Sequence, residues 1–242
     1  MKGGAASAPP PSGGVRFVDR QDAGRRLAAA LARWREARPV VLGLPRGGVP
    51  VAYEVALALE APLDVLVVRK LRAPEQPELG LGAVTDGDHP EAILNEQIVG
   101  ALRVPEAYLR REIAAQLAEV RRRQARFRGG RPAIPLAGRT AIVVDDGVAT
   151  GGTVRAAIRG LRRASPRTVV LAVPVAAADA VPGLEAAADA VVCLAAPEDF
   201  TAVGQYYDDF REISDAEVIA CLERAARRAA RSDGSFGLRS EP

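Results

Sequence analysis

Thr140 to Thr153 read TAIVVDDGVATGGT. The apolar run from Thr140 to Asp146 lacks polar alternation, so it predicts a strand buried on both faces, as in a parallel sheet. Two adjacent carboxylates, Asp145 and Asp146, end it. The turn Gly147-Val148-Ala149-Thr150-Gly151-Gly152-Thr153 then leads into the helical pattern VRAAIRGLRRA. A glycine-rich turn before a helix offers several backbone N–H groups in a concave nest, and the helix start adds partial positive charge. The hydroxyls of Thr150 and Thr153 add donors, completing a cradle for a phosphate. Two carboxylates would repel that phosphate, so they are read as facing sugar hydroxyls or the water shell of a magnesium ion. The bland alternative is an ordinary turn with two solvent-facing acids. A P-loop is excluded because no lysine follows the glycines, and the GxGxxG dinucleotide fingerprint is absent.

The flanking sequence alternates strands and helices. Asp22 is positioned to cap a helix that places Leu27, Leu31 and Trp34 on one face and ends at Pro39. Val40 to Pro45 predicts a strand, the turn PRGG follows, and VPVAYEVALALEA predicts a helix. Leu63 to Lys70 predicts the second strand, which makes a βαβ unit. Residues 71–92 are rich in Pro, Gly and acids, and predict a flexible loop with one hairpin around Leu79 to Val84. Residues 104–128 form a long charged helix, with Pro105 in its first turn and Leu109, Ile113, Leu117 and Val120 as its apolar stripe. Beyond the central stretch come the strand TVVLAVPVA, a helix from Ala177 to Ala188 and the strand AVVCLA. A loop over 197–213 holds most of the late aromatics, and Ser214 with Glu217 forms a capping box for a last helix through Arg231. The alternation predicts an α/β fold: a doubly wound, mostly parallel sheet flanked by helices, with ligands beyond the carboxyl ends of the strands. One domain over 15–231 is expected, with disordered tails at 1–14 and 232–242.

Hydrophobic residues make up 48% and charged residues 26% of the 242, the balance of an ordinary globular protein. A net charge of +3 fits a small anionic ligand and argues against nucleic acid as a partner. The arginines of the long helix (Arg121, Arg122, Arg123, Arg126, Arg128) are read as a solvated face. His89 is expected to be solvated, Trp34 to join the core and Cys193 to be buried in its strand. Neither cysteine sits in a metal-ligand spacing, and neither a secretory signal nor a membrane span is expected, so a cytoplasmic location follows.

VVDDGVATGGT resembles the motif that binds phosphoribosyl pyrophosphate (PRPP) in type I phosphoribosyltransferases, and its Ala-Thr-Gly-Gly-Thr is similar to that of adenine phosphoribosyltransferases. The resemblance implies that Ile142 to Thr153 binds PRPP. Asp145 and Asp146 would hold the ribose, and Gly147, Val148, Ala149, Thr150, Gly151, Gly152 and Thr153 the 5′-phosphate. Pro45-Arg46-Gly47-Gly48 resembles the family's pyrophosphate loop, with unusual backbone geometry expected near Arg46-Gly47. Arg69, Lys70 and Arg72 are candidates for closing on the pyrophosphate; a solvated charge cluster is the competing reading. Asp145, Asp146, Arg46 and Lys70 are the implied catalytic groups. The segment from Pro197 to Phe210 is similar to that of hypoxanthine-type enzymes. Phe200 would there stack on the acceptor and Asp208 help hold magnesium, against the alternative of a core aromatic cluster.

Enzymes of the hypoxanthine type carry an acid where this chain has Ala149, which argues against hypoxanthine or guanine as acceptor. The resemblance covers roughly residues 15–220. It implies a magnesium cofactor, PRPP and a small nitrogenous acceptor as partners, a hood over the site at 197–213, and a homodimer by analogy. Two other readings stand beside transfer: a non-catalytic sensor of PRPP or nucleotide with this fold, and a phosphohydrolase or phosphorylase acting on a ribose phosphate.

Overall fold

The computed structural model describes residues 15–74, 80–85 and 91–234. The expectations for His89 and the 1–14 tail, and all but the first three residues of the 232–242 tail, lie outside them. The chain opens with α1 (Arg20–Ala30), whose side-chain cap is Asp19, accepting from the Asp22 N–H at 2.7 Å. The sequence had pointed to Asp22 as the cap, which instead lies in the first turn. A short 3₁₀ helix, Ala32–Ala37, carries Trp34, half-buried against the core. Then follow β1 (Val40–Gly43), α2 (Gly48–Leu59) and β2 (Leu63–Val65). The chain continues through β3 (Val68–Arg72), β4 (Gly80–Thr85), β5 (Glu91–Leu94), α3 (Glu96–Ala101) and α4 (Glu106–Arg128). Pro105 is the N-cap of α4, with extended backbone, rather than a first-turn residue.

The second half holds β6 (Thr140–Val144), α5 (Gly152–Leu161), β7 (Thr168–Val175), α6 (Val181–Glu185), β8 (Ala190–Ala195) and α7 (Asp215–Gly234). The expected helix over 177–188 is shorter: Ala178–Ala180 is 3₁₀ and α6 spans five residues, with Pro182 in its first turn. The capping box forms as read, Ser214 Oγ accepting from the Glu217 N–H and Glu217 from the Ser214 N–H.

Five strands make a fully parallel sheet in the order β2-β1-β6-β7-β8. Both faces are covered, which explains the unbroken apolar runs. Ile142 and Val144 of β6 pack with Leu27 of α1, Val51 and Val55 of α2 and Leu222 of α7. Ala141 and Val143 pack on the other face with Val154 and Ile158 of α5 and Leu184 of α6. The sheet grows from β1 toward β2 on one side and from β6 toward β8 on the other. The β1/β6 boundary is therefore the switch point, where a crevice opens beyond the strand ends.

The sequence reading joined Leu63 to Lys70 into one strand, and the structure divides it. The Leu66 N–H still donates to the Gly43 carbonyl at 3.0 Å, after which the chain leaves the parallel sheet and β3 begins a separate antiparallel one, β3-β4-β5. Leu66, Val67 and Leu71 are buried throughout, so the apolar run carries no mark of the exchange. The ends of the expected 71–92 loop are likewise strands, leaving 75–79 and 86–90 outside the described residues.

This small sheet seats on α5, the helix that begins at the glycine-rich turn. A Cβ at Gly160 would lie 2.0 Å from Thr85 Oγ1. Gly160→Ala is therefore expected to destabilise the protein by about 1–3 kcal/mol through overpacking, outweighing the roughly 1 kcal/mol that alanine usually adds in a helix interior. Urea denaturation reads the difference; an unchanged or higher midpoint would contradict this contact.

Candidate functional site

The turns after β1 and β6 meet at the switch point. Gly47 and Gly48 lie directly on the two carboxylates. A Cβ at Gly47 would fall 2.0 Å from Asp146 Oδ2, and one at Gly48 would fall 2.7 Å from the Val144 carbonyl and 3.0 Å from Asp145 Oδ1. Neither glycine is required for a left-handed backbone; Gly47 has φ −62°. Both are required for closeness. The Leu44 N–H donates to the Val144 carbonyl at 2.9 Å, which extends the β1–β6 ladder to the start of the turn. The peptide between Pro45 and Arg46 is cis, one bond before the position expected. Among the described residues, the N–H groups of Arg46 and Gly47 take no protein acceptor and are left available to a ligand.

The second turn is pinned at its middle. The Val148 N–H donates to the Val175 carbonyl and the Val148 carbonyl accepts from the Ala177 N–H, both at 2.9 Å. Val148 had been counted with the ligand-binding residues, but its side chain is buried and its amide is already used. The next three amides, of Ala149, Thr150 and Gly151, have no acceptor among the described residues. Gly151 takes φ +71° as the N-cap of α5, with no side-chain cap. An uncapped helix start with free amides is an anion site of the ordinary kind.

The acids stand between the two turns. Asp145 Oδ1 accepts from the Asp146 N–H at 2.9 Å. Burial, then the neighbouring Asp146 charge, pushes the Asp145 carboxyl well above its ordinary range. Asp146 Oδ2 accepts from Arg20 Nε at 2.8 Å, and the Asp146 carbonyl accepts from the Tyr207 hydroxyl at 2.6 Å. Burial and the Asp146 charge push the Tyr207 phenol up, so it remains a donor. The sequence reading gave Arg20 no role, and it took Tyr207 only as part of the 197–213 segment. Arg20 is one arginine in a segment with several, and nothing local sets it apart.

The other candidates are spread more widely. Arg46 turns outward and pairs with Glu212, with Asp215 at 3.9 Å. Arg69 Nε donates to Gln116 of α4 at 3.1 Å, whereas Lys70 is exposed and lies on the opposite face of β3. Arg72 is exposed and its backbone is held by Glu112 and Tyr108 of α4. Phe200 is half-buried and stacks on Tyr206, with centroids 5.6 Å apart. Asp208 pairs with Arg16. Cys193 is half-buried, less enclosed than expected.

Among the described residues, no group of three His, Cys, Asp or Glu is arranged to hold a metal ion. Two adjacent carboxylates, one already paired with an arginine, suit a magnesium ion that arrives with ligand oxygens and water rather than one caged by protein. No described helix is long and apolar enough to cross a membrane.

The sequence model of the phosphoribosyl transferase domain matches residues 17–211, and the chain belongs to that family. Two curated relatives, "Putative phosphoribosyl transferase Rv0571c" and "Putative phosphoribosyl transferase MT0597", come from two strains of Mycobacterium tuberculosis. Each is 50% identical over 226 residues, covering 93% of this chain. The chain spans about half the length of these relatives, 50% in each case. The crystal structure of TT1426 from Thermus thermophilus is 49% identical, with a TM-score of 0.77 over 87% of this chain and 99% of that one.

Two outcomes test the geometry. Gly47→Ala must displace Asp146 and is expected to cost about 1–3 kcal/mol in thermal or urea unfolding; a neutral result would contradict the close approach. Asp145→Asn keeps the acceptor for the Asp146 N–H and removes the charge that burial disfavours. Because the folded-state pKa of Asp145 is raised, the native state holds its proton more tightly than the unfolded state, and stability falls as pH rises through that range. The variant is expected to melt higher than the parent at about pH 7, with the gain vanishing below about pH 4.

Proposed function

We propose that this member of the phosphoribosyl transferase family transfers the phosphoribosyl group of Mg-PRPP to a nitrogenous acceptor, a purine, pyrimidine or related base, with release of pyrophosphate. The observation that carries the reading is the meeting of the two turns: free amides at Arg46-Gly47, free amides at Ala149-Thr150-Gly151, and two carboxylates between them. A sugar carrying a phosphate at one end and a pyrophosphate at the other matches that order of anion nest, acids and anion nest.

In this reading Gly147 to Thr153 hold the 5′-phosphate through the amides of Ala149 to Gly151 and the hydroxyls of Thr150 and Thr153. Asp145 and Asp146 accept from the ribose hydroxyls. Pro45 to Gly48 hold the pyrophosphate through backbone N–H groups. Arg46 pairs closely with the exposed Glu212 and only distantly with Asp215, contacts of small net worth that a pyrophosphate can replace. Lys70, exposed on the face of β3 opposite Arg69, is assigned to close on the pyrophosphate; Arg69 is occupied by Gln116, and Arg72 is exposed like Lys70. When bound with PRPP, magnesium supplies positive charge to the departing pyrophosphate.

The sugar C1–O bond to pyrophosphate breaks, its electrons leaving with that oxygen. A C1–N bond forms from the nitrogen lone pair, and the acceptor's proton is released. Positioning and charge stabilisation by the turn amides provide the acceleration. The acceptor has its place near Phe200, and Ala149 in place of an acid argues against hypoxanthine and guanine. Two free cysteines fit a reducing cytoplasm.

Calorimetry with Mg-PRPP on the parent and on Asp146→Asn, together with pyrophosphate release across a panel of bases and amines, tests the reading. The parent is expected to bind and to release pyrophosphate only with an acceptor, while the variant binds about tenfold or more weakly. Equal affinities would sink the ribose assignment. Binding without turnover on any acceptor would favour a PRPP sensor, and release of inorganic phosphate would favour a hydrolase or phosphorylase.

A further inference from the structure

Arg20 is a charge with little access to solvent: its side chain is 9% exposed and that of its partner Asp146 15%. Its guanidinium makes three contacts. Nε donates to Asp146 Oδ2 at 2.8 Å, one terminal nitrogen donates to the Arg211 carbonyl at 2.9 Å, and the plane lies 3.9 Å over the ring of Phe210. The backbone is equally constrained. Arg20 is the first residue of α1, directly after the Asp19 cap, and Phe17 three residues earlier pairs with Tyr207 in a parallel bridge. The Phe17 N–H donates to the Tyr206 carbonyl at 2.8 Å, and the Asp208 N–H returns to the Phe17 carbonyl at 2.9 Å. Two segments far apart in the chain thus form one hood. That hood grips Asp146 twice, through Arg20 on its carboxylate and Tyr207 on its carbonyl.

Burying an arginine costs several kcal/mol unless it is paired and its donors are satisfied. A chain that needed only to tie its hood to the sheet could do so with apolar contacts, as Phe17, Tyr206 and Tyr207 already do with Val175. The feature an apolar contact cannot supply is the fixing of one carboxylate oxygen beside a second carboxylate. Asp145 and Asp146 crowd two acids into one buried place, and the cation of Arg20 on Asp146 Oδ2 offsets that charge at a fixed point. With Oδ2 held by Arg20 on one side and pressed against Gly47 on the other, Asp146 keeps a single orientation.

We infer that Arg20 is the positioning residue of the ribose-binding pair: it holds Asp146 beside Asp145 in the arrangement that accepts the sugar hydroxyls, and ties that arrangement to the hood. The inference rests on the ribose assignment of these acids made above. Arg20 itself touches no reacting atom.

The test uses the full chain and calorimetry with Mg-PRPP, ribose 5-phosphate and Mg-pyrophosphate on the parent, Arg20→Gln and Arg20→Lys. Arg20→Gln is expected to weaken both sugar-containing ligands about tenfold or more while moving Mg-pyrophosphate less than about twofold, and Arg20→Lys to regain part of the loss. A uniform loss for all three ligands, tracking a lowered unfolding midpoint, would reduce Arg20 to a structural tie and overturn the inference, as would parent-like binding by Arg20→Gln. If Arg20→Gln cannot be obtained folded, the same ligand split in Arg20→Lys decides it, with equal losses counting against. Should the split appear but no acceptor be turned over, Arg20 keeps its role and only transfer fails. A parent that binds neither sugar ligand removes both readings together.

Discussion

Two strand-to-helix turns share one site here only because Gly47 and Gly48 carry no side chain. β1 and β6 are neighbours in a parallel sheet, so their following turns emerge side by side about one strand spacing apart. At that separation a Cβ at either glycine would press on the end of β6, the nearest clash being 2.0 Å from Asp146 Oδ2 at Gly47. With the glycines in place the first turn lies against the two acids, and the amides of Arg46, Gly47 and Ala149 to Gly151 remain without a protein acceptor among the described residues. The sheet order does the rest. Because helices diverge from this boundary to opposite faces, the crevice is left open.

The site carries its own electrostatic cost. Asp145 is enclosed, and Asp146 beside it makes a second negative charge more expensive. A core selected for stability alone would not keep adjacent carboxylates at a buried strand end, and the proposed binding of sugar hydroxyls gives a reason to keep them. The compensation comes from far along the chain. Arg20 pairs with Asp146 and is itself satisfied by the Arg211 carbonyl and the Phe210 ring. The hood, whose aromatics look from the sequence like a separate feature, is in this sense part of the acid pair.

The regions read least well are those where burial passes from one surface to another without a change in residue type. Val65 to Val68 stays apolar while crossing from the parallel sheet to the small antiparallel one, because α4 covers Leu71 much as the helices cover Leu63 and Val65. Period alone cannot show that exchange. The 177–188 segment fails for another reason. Its alanines favour helix, but the chain must accommodate the Val148–Ala176 bridge and then Pro182, which leaves only a short 3₁₀ piece and α6.

By itself the sequence determined the α/β alternation, the strand end bearing Asp145 and Asp146, the glycine-rich turns at 45–48 and 147–153 and the capping box at Ser214. These are local signals, each set by residues within a few positions of one another: apolar runs, turn glycines, a cap pair. Only the tertiary structure decided that the two turns touch, that Val148 spends its amide on Val175, that Arg69 and Lys70 face opposite ways and that Arg20 belongs to the acid pair. Those facts depend on which distant elements become neighbours. A buried arginine and an exposed one look identical in the sequence until the partner that makes burial tolerable is brought to it by the fold.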